Sequence, residues 1–233
     1  MIANGVKALF FDVFGTLVDW RSGVAREAEL VLKGPGAALD WPAFADAWRA
    51  QYQPSMEEIR SGRVPYTKLD LLHRQTLQRI LPRFGIERLP DADLDRLTLA
   101  WHRLDAWPDV QPGLARLRQR FLIAPVSNGN TAIMCDLARR NDFHWDAILG
   151  ADHARDFKPK PAVYLAAADA FDLRPEQCMM CAAHGSDLEA AAAVGLRTAF
   201  IARPEERPGS SEGPGPAEVH CRSAVDLATQ LGA

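Results

Sequence analysis

What the sequence lacks narrows its function before any motif is read. No apolar run approaches the roughly 20 residues that span a bilayer, and the opening stretch MIANGVKALFFDVF is too short of consecutive apolar residues for a secretory signal core. A soluble cytoplasmic protein with no membrane partner is expected. Positive charge is not in excess: 27 Lys and Arg stand against 30 Asp and Glu, a net charge of -3. The basic footprint that nucleic acid selects is therefore missing, and the expected partner is a small molecule. Cysteine is scarce, and Cys135, Cys178, Cys181 and Cys221 are dispersed, which fits a reducing compartment rather than a disulfide framework. Cys178-Met-Met-Cys181 has the spacing of a redox or zinc pair. However, it sits in an apolar run with no second ligand pair, so it is read as a buried strand.

What is present is a chain of 233 residues, 48% hydrophobic and 24% charged, enough for one core domain plus a sizeable insertion. Short apolar runs stop abruptly in polar turns. Ala8 to Phe11 ends at Asp12 and Gly15, Phe121 to Val126 at Ser127-Asn128-Gly129, and Ala147 to Leu149 at Gly150. Gln177 to Ala182 ends at His184-Gly185, and Thr198 to Ile201 at Arg203-Pro204. Helix-like segments follow three of them: Thr131 to Arg140, Pro161 to Phe171 and Ser186 to Val194. Alternating strands and helices predict a parallel sheet covered on both faces, with its ligand at the carboxyl ends of the strands.

The stretch from about Trp20 to Pro108 breaks that alternation. Four helical patterns are predicted there: Val24 to Lys33, Trp41 to Ser61, Pro65 to Phe84 and Asp91 to Leu104. Asp40 and Asp91 stand where N-caps belong, and Gly34, Gly62 and Gly85 where helices stop. The expected organisation is a Rossmann-like α/β core of three layers (1-19 and 109-233) with a four-helix cap (20-108) inserted after the first strand. Such an insertion is placed to close over a site and exclude water. Arg203 to Pro216 is rich in Gly, Pro, Ser and Glu and reads as a surface loop before a short final strand and helix.

The strongest chemical signal is Phe11-Asp12-Val13-Phe14-Gly15-Thr16-Leu17. A carboxylate at a buried strand end, with Gly15 for the tight turn and Thr16 able to return a hydroxyl, is suited to act as a nucleophile. An isolated Asp there would more commonly cap a turn. Three further fragments argue otherwise: Ser127-Asn128-Gly129, Lys158-Pro159 and His184-Gly185-Ser186-Asp187. In this order the fragments resemble the haloacid dehalogenase superfamily, and with the helical insertion the likeness covers nearly the whole chain.

Most members of that superfamily are magnesium-dependent phosphatases, with a second Asp two residues after the nucleophile to protonate a leaving alkoxide. Here that position is Phe14, and the position of a magnesium-binding Asp is Ala183. The chain instead resembles the type II 2-haloacid dehalogenases. That resemblance implies Asp12 as nucleophile, with Thr16 and Ser127 as polar contacts to nucleophile and substrate. It implies Lys158 as the charge holding the carboxylates, Arg49 and Asn128 facing the departing halide, Tyr164 beside the lysine, and Asp187 positioning the hydrolytic water. Phe14 would form an apolar wall for the haloalkyl group. Neither a metal nor an organic cofactor is implied, and the partners implied are a small 2-haloacid and, at most, a second copy of the chain as a homodimer.

The chain departs from the family's pattern at Ala182, His184 and Ser186. His184 is expected in the active site in place of an asparagine, able to donate and accept near neutral pH. The alternatives are a magnesium-dependent phosphatase on the same fold and a non-catalytic binding protein.

Overall fold

All four residues of β1 (Ala8–Phe11) are buried, the mark of a strand covered on both faces. The computed structural model describes residues 4–33, 39–206 and 213–233 and places β1 inside a six-stranded sheet. After β1 come α1 (Trp20–Leu32), α2 (Trp41–Arg49), α3 (Tyr52–Arg60), α4 (Leu69–Ile80) and α5 (Asp91–Thr98). Then follow α6 (Val110–Leu117), β2 (Leu122–Ser127), α7 (Thr131–Asn141), β3 (Leu149–Gly150), α8 (Ala151–Ala154) and α9 (Pro161–Asp169). The chain ends with β4 (Cys178–Ala182), α10 (Gly185–Ala193), β5 (Arg197–Ile201), β6 (Val219–Cys221) and α11 (Ala224–Gln230).

The strand order is β3-β2-β1-β4-β5-β6, with every pair parallel. This is the expected Rossmann-like sheet. Phe11 lies beside Pro125 on β2 and Cys181 on β4, so the loops after β1, β2 and β4 leave the sheet together. The order also reverses direction between β1 and β4, which opens the crevice where such sheets bind ligands.

Alternation along the strands divides the core. Leu9, Phe11, Ile123, Met179 and Cys181 face one layer, which is continuous with the helical segment after β1. Ala8, Phe10, Ala124, Cys178 and Met180 face the other, packing on α9 and α10. Cys178 and Cys181 therefore point to opposite faces and cannot share a bond or a metal. Burial pushes the Cys178 thiol up to about 12, so the core reading of this pair holds.

The helical segment differs from its prediction in several places, among them the start of α1 at Trp20 rather than Val24 and the end of α5 at Thr98 rather than Leu104. The run expected from Trp41 to Ser61 is two helices, because Pro54 has no N–H to give the Ala50 carbonyl and sits in the first turn of α3. Five α-helices rather than four thus lie between β1 and α6 among the described residues. The third expected helix starts at Leu69 rather than Pro65, where the Asp70 backbone N–H donates to Asn130 Oδ1 at 3.1 Å. Asp91 falls inside α5, with Pro90 in the cap position. Asp40 caps α2 as expected, accepting from the Ala43 N–H at 2.9 Å. Gly62 and Gly85 follow helices with φ of 76° and 72°, whereas Gly34 lies outside the described residues.

An aromatic stack joins this segment to the sheet. Trp101 packs edge-on to Phe14 (5.6 Å between ring centres), against Trp20 (6.2 Å) and against Trp48 (5.6 Å). Among the described residues, no helix is long and apolar enough to cross a membrane.

Candidate active site

Asp12 follows β1 directly, and its backbone N–H still bonds the β4 neighbour Cys181 at 3.0 Å. This continues the ladder one residue past the strand and fixes the direction of the side chain. Thr16, one tight turn on, donates to Asp12 Oδ2 at 2.7 Å and accepts from the Ala183 N–H at 2.9 Å. It thereby ties the β1 loop to the β4 loop. Lys158 enters from the loop before α9, where its backbone N–H donates to Asn128 Oδ1 at 2.7 Å. Its ammonium bridges two carboxylates, at 3.0 Å from Asp12 Oδ1 and 2.5 Å from Asp187 Oδ2. Tyr164, one helix face away on α9, donates to Asp187 Oδ1 at 2.6 Å.

These groups are all buried, so their charges are stable only as a set. Burial opposes ionised Asp12, but Lys158 foremost, then His184 and Thr16, hold its carboxyl well below the usual carboxylate range. Burial likewise opposes a charged Lys158, yet Asp12 and Asp187 together keep its ammonium protonated. Asp187 is shifted the other way: burial raises it, and the Asp12 charge acts in the same direction. Burial and the neighbouring Asp187 charge push the Tyr164 phenol far up, so it remains a donor.

His184 lies between two carboxylates. Its Nδ1 is 3.1 Å from Asp12 Oδ2, and its Nε2 is 3.1 Å from Glu206 Oε2. Burial works against protonation, but the hydrogen bonds and charges of Asp12 and Glu206 outweigh it and push the imidazole up to about 10. Glu206 is held below its usual range despite burial, by His184 first and also by Trp20, whose Nε1 donates to it at 2.8 Å.

A cavity of about 1290 Å³ opens on this cluster. Asp12, Phe14, Asn128, Lys158, His184 and Asp187 line its sheet side. From the helical side come Arg49, Tyr52 and Arg60. The Arg49 guanidinium lies 3.9 Å from the Tyr52 ring centre and 5.3 Å from that of Trp20. Its Nη1 is shielded from solvent and has no hydrogen-bond partner among the described residues. A solvent-shielded N–H without a partner is costly, and this one belongs to a residue that lines the cavity.

Nine of the ten residues expected here from sequence, Asp12, Phe14, Thr16, Arg49, Asn128, Lys158, Tyr164, His184 and Asp187, are brought together. Ser127 is not. It is fully buried, its Oγ accepts from the Gly129 N–H at 3.0 Å, and it does not line the cavity. As the last residue of β2, Ser127 braces its own turn.

A family model described as haloacid dehalogenase-like hydrolase matches residues 6–195. The chain belongs to the haloacid dehalogenase-like hydrolases. It is 30% identical over 202 residues to (S)-2-haloacid dehalogenase 1 of Pseudomonas sp. (strain CBS-3), covering 85% of each chain. Among solved structures, a defluorinating L-2-haloacid dehalogenase is 43% identical with a TM-score of 0.93, over 98% of this chain and 96% of that one. A further L-2-haloacid dehalogenase is 44% identical with a TM-score of 0.92, over 97% and 99% of the two chains.

For a haloacid dehalogenase-like hydrolase, three residues at this site escaped the sequence reading. Tyr52 and Arg60 fell within what looked like one amphipathic helix. Arg60 donates to the Lys158 carbonyl at 2.9 Å, so it touches the loop that carries Lys158 directly. Glu206 lies in the stretch from Arg203 to Pro216 that reads as a surface loop. Its described part instead lines the cavity with Arg203, Pro204, Gly213 and Pro214. The one sequence signal for Glu206 is Gly15: its φ is +89°, and a Cβ there would lie 2.1 Å from Glu206 Oε1. Only glycine both adopts that turn and admits the carboxylate.

The donor set does not suit a metal ion. The Asp12 oxygens are taken by Lys158, Thr16 and His184, and Ala183 offers no ligand. Among the described residues, no group of three or more His, Cys, Asp or Glu is arranged to hold one.

Proposed function

We propose that the protein hydrolyses the carbon–halogen bond of a small 2-haloalkanoic acid to give the 2-hydroxy acid, through an ester on Asp12. In this reading the segment 20-108 is a cap domain closing on the core formed by 1-19 and 109-233. The substrate sits in the cavity between them. Asp12, ionised and held in one orientation, attacks carbon 2 from the side opposite the halogen, so the configuration inverts. Lys158 and backbone donors hold the substrate carboxylate, while Arg49 and Asn128 receive the halide. Water then attacks the acyl carbon of the ester and restores Asp12.

One observation carries this reading: an ionised carboxylate and a guanidinium whose shielded Nη1 has no hydrogen-bond partner among the described residues line the same cavity, with Phe14 where an acid would stand. A halide leaves without a proton, so it needs a cation and an apolar wall rather than an acid. An alkoxide released from a phosphate ester would find no proton donor at Phe14, which weighs against the phosphatase reading. The relatives similar to this chain in sequence and fold are named for the same chemistry.

The test is a single turnover of 2-chloropropionate in oxygen-18 water with enzyme in excess. Unlabelled hydroxy acid of inverted configuration and a labelled peptide containing Asp12 are expected. Label in the product at first turnover would mean that water, not Asp12, attacks carbon.

A further inference from the structure

Hydrolysis of an Asp12 ester requires a group to take a proton from water, and Asp187 is poorly placed for it. Both of its oxygens are engaged, by Lys158 at 2.5 Å and Tyr164 at 2.6 Å. The other candidate is His184, whose Nδ1 is bonded to Asp12 itself, the group that the reaction converts to the ester and so takes out of that bond. We propose, on the dehalogenase reading above, that His184 is the general base for hydrolysis of the Asp12 ester, and that Glu206 is the positioning residue that fixes its ring.

The geometry is specific. Nδ1 of His184 lies 3.1 Å from Asp12 Oδ2, beside the carboxyl group that becomes the ester. The opposite edge of the ring is gripped by both Glu206 oxygens, at 3.2 and 3.1 Å. The His184 side chain is 23% exposed and lines the cavity, so water has access to it. Glu206 is itself anchored by Trp20 Nε1 at 2.8 Å. Its loop is clamped where Arg203 donates to the Thr16 carbonyl at 2.8 Å and to both Asp109 oxygens at 2.7 and 2.9 Å. Gly15 leaves the space that the carboxylate fills.

The charges around the ring supply the timing. Asp12 and Glu206 face His184 directly, Lys158 and Asp187 lie behind Asp12, and Arg49 acts on Glu206. Before reaction both carboxylates keep the imidazole protonated. When Asp12 becomes an ester its negative charge is gone, and His184 keeps only one anionic partner. Its Nδ1 proton then passes to solvent, as the net release of one proton per halide requires. Glu206 retains the Nε2 proton and so selects the tautomer whose free Nδ1 faces the ester. Water gives its proton to Nδ1 as its oxygen bonds the acyl carbon. The acyl–oxygen bond breaks, the same proton passes to the departing alkoxide, and the regenerated Asp12 carboxyl group gives its own proton back to His184.

Glu206→Gln, which keeps a hydrogen-bond acceptor for Trp20, tests this by rapid quench with 2-chloropropionate. Halide release in the first turnover should stay within about 3-fold of the native rate, while release of hydroxy acid slows by roughly 10- to 100-fold. The Asp12 peptide should accumulate carrying the propionate ester in mass spectra. The acid limb of ester hydrolysis should move to lower pH, because His184 loses an anionic neighbour. Glu206→Ala should act in the same sense and more strongly. Misfolding lowers the amplitude of the halide burst without causing the ester to accumulate, so it is told apart. Equal slowing of both phases, or a normal burst with no ester accumulation, overturns the role of Glu206. A native enzyme that releases no halide overturns the dehalogenase reading itself.

Discussion

The two walls of the cavity solve opposite problems. On the sheet side, Asp12, Lys158, Asp187 and Tyr164 satisfy one another within 3.0 Å, and each needs the others to remain charged or bonded while buried. On the helical side, among the described residues, the Nη1 of Arg49 has no partner, and His73, stacked 4.3 Å from Trp101, has neither ring nitrogen bonded. Burial depresses that histidine to about 3, so it is neutral and adds no cation to the wall. On the dehalogenase reading proposed above, the sheet side is finished before substrate arrives, whereas the helical side is completed by it. Preorganisation belongs with the reacting atom, and unmet bonding capacity belongs with the group that meets the ligand.

That contrast can be broken by substitution. Lys158→Met should have the largest effect, because it leaves two buried carboxylates facing each other. A loss of about 3–5 kcal/mol is expected, read as a melting temperature lower by roughly 6–20 °C, together with loss of turnover. Arg49→Ala should separate function from stability. Turnover of 2-haloacids should fall by roughly 10- to 100-fold, the worth of a charge-assisted hydrogen bond, while the melting temperature stays level or rises. Arg49→Lys should restore little, since a point charge does not reproduce the guanidinium fork. An equal fall in stability would show that Arg49 is structural and erase the difference between the walls.

His184→Asn sharpens the comparison through pH. Its folded value is raised to about 10 from an unfolded value of about 6.5. Its contribution to stability is therefore full below about 6.5 and is lost as pH rises through about 10. Melting temperatures across that window should decline less steeply in His184→Asn than in the native protein. The smallest effect should come from chelation: turnover in excess EDTA should equal turnover in added magnesium, because Lys158 and His184 occupy the Asp12 oxygens.

Much of this was legible in the sequence because buried parallel strands leave a plain trace. The runs 8–11, 122–126, 178–182 and 199–201 are apolar without interruption, and each ends in a polar turn, so strand ends and site residues are read together. What was missed depended on contacts distant in sequence. The start of α4 is set by Asn130, about 60 positions away in the chain, and no local pattern encodes it. Pro54 was visible, yet the amphipathic pattern on either side of it runs on unbroken, and the break between α2 and α3 was absorbed into one helix. Ser127 matched its motif, but a hydroxyl at a strand end turns equally well to its own loop. Glu206 carried no periodicity at all; its only trace is the glycine that makes room for it on the far side of the site.

The aromatic stack has a use beyond packing. Trp20 donates to Glu206 and lies under the Arg49 guanidinium, and through Trp101 it is joined to Trp48 and Phe14. Indole emission is sensitive to nearby charge, so halide arriving at Arg49, or a proton leaving His184, alters the field on a fluorophore already in place. Stopped-flow fluorescence of the native chain, with no attached dye, should follow the two halves of a turnover as two separate changes in intensity.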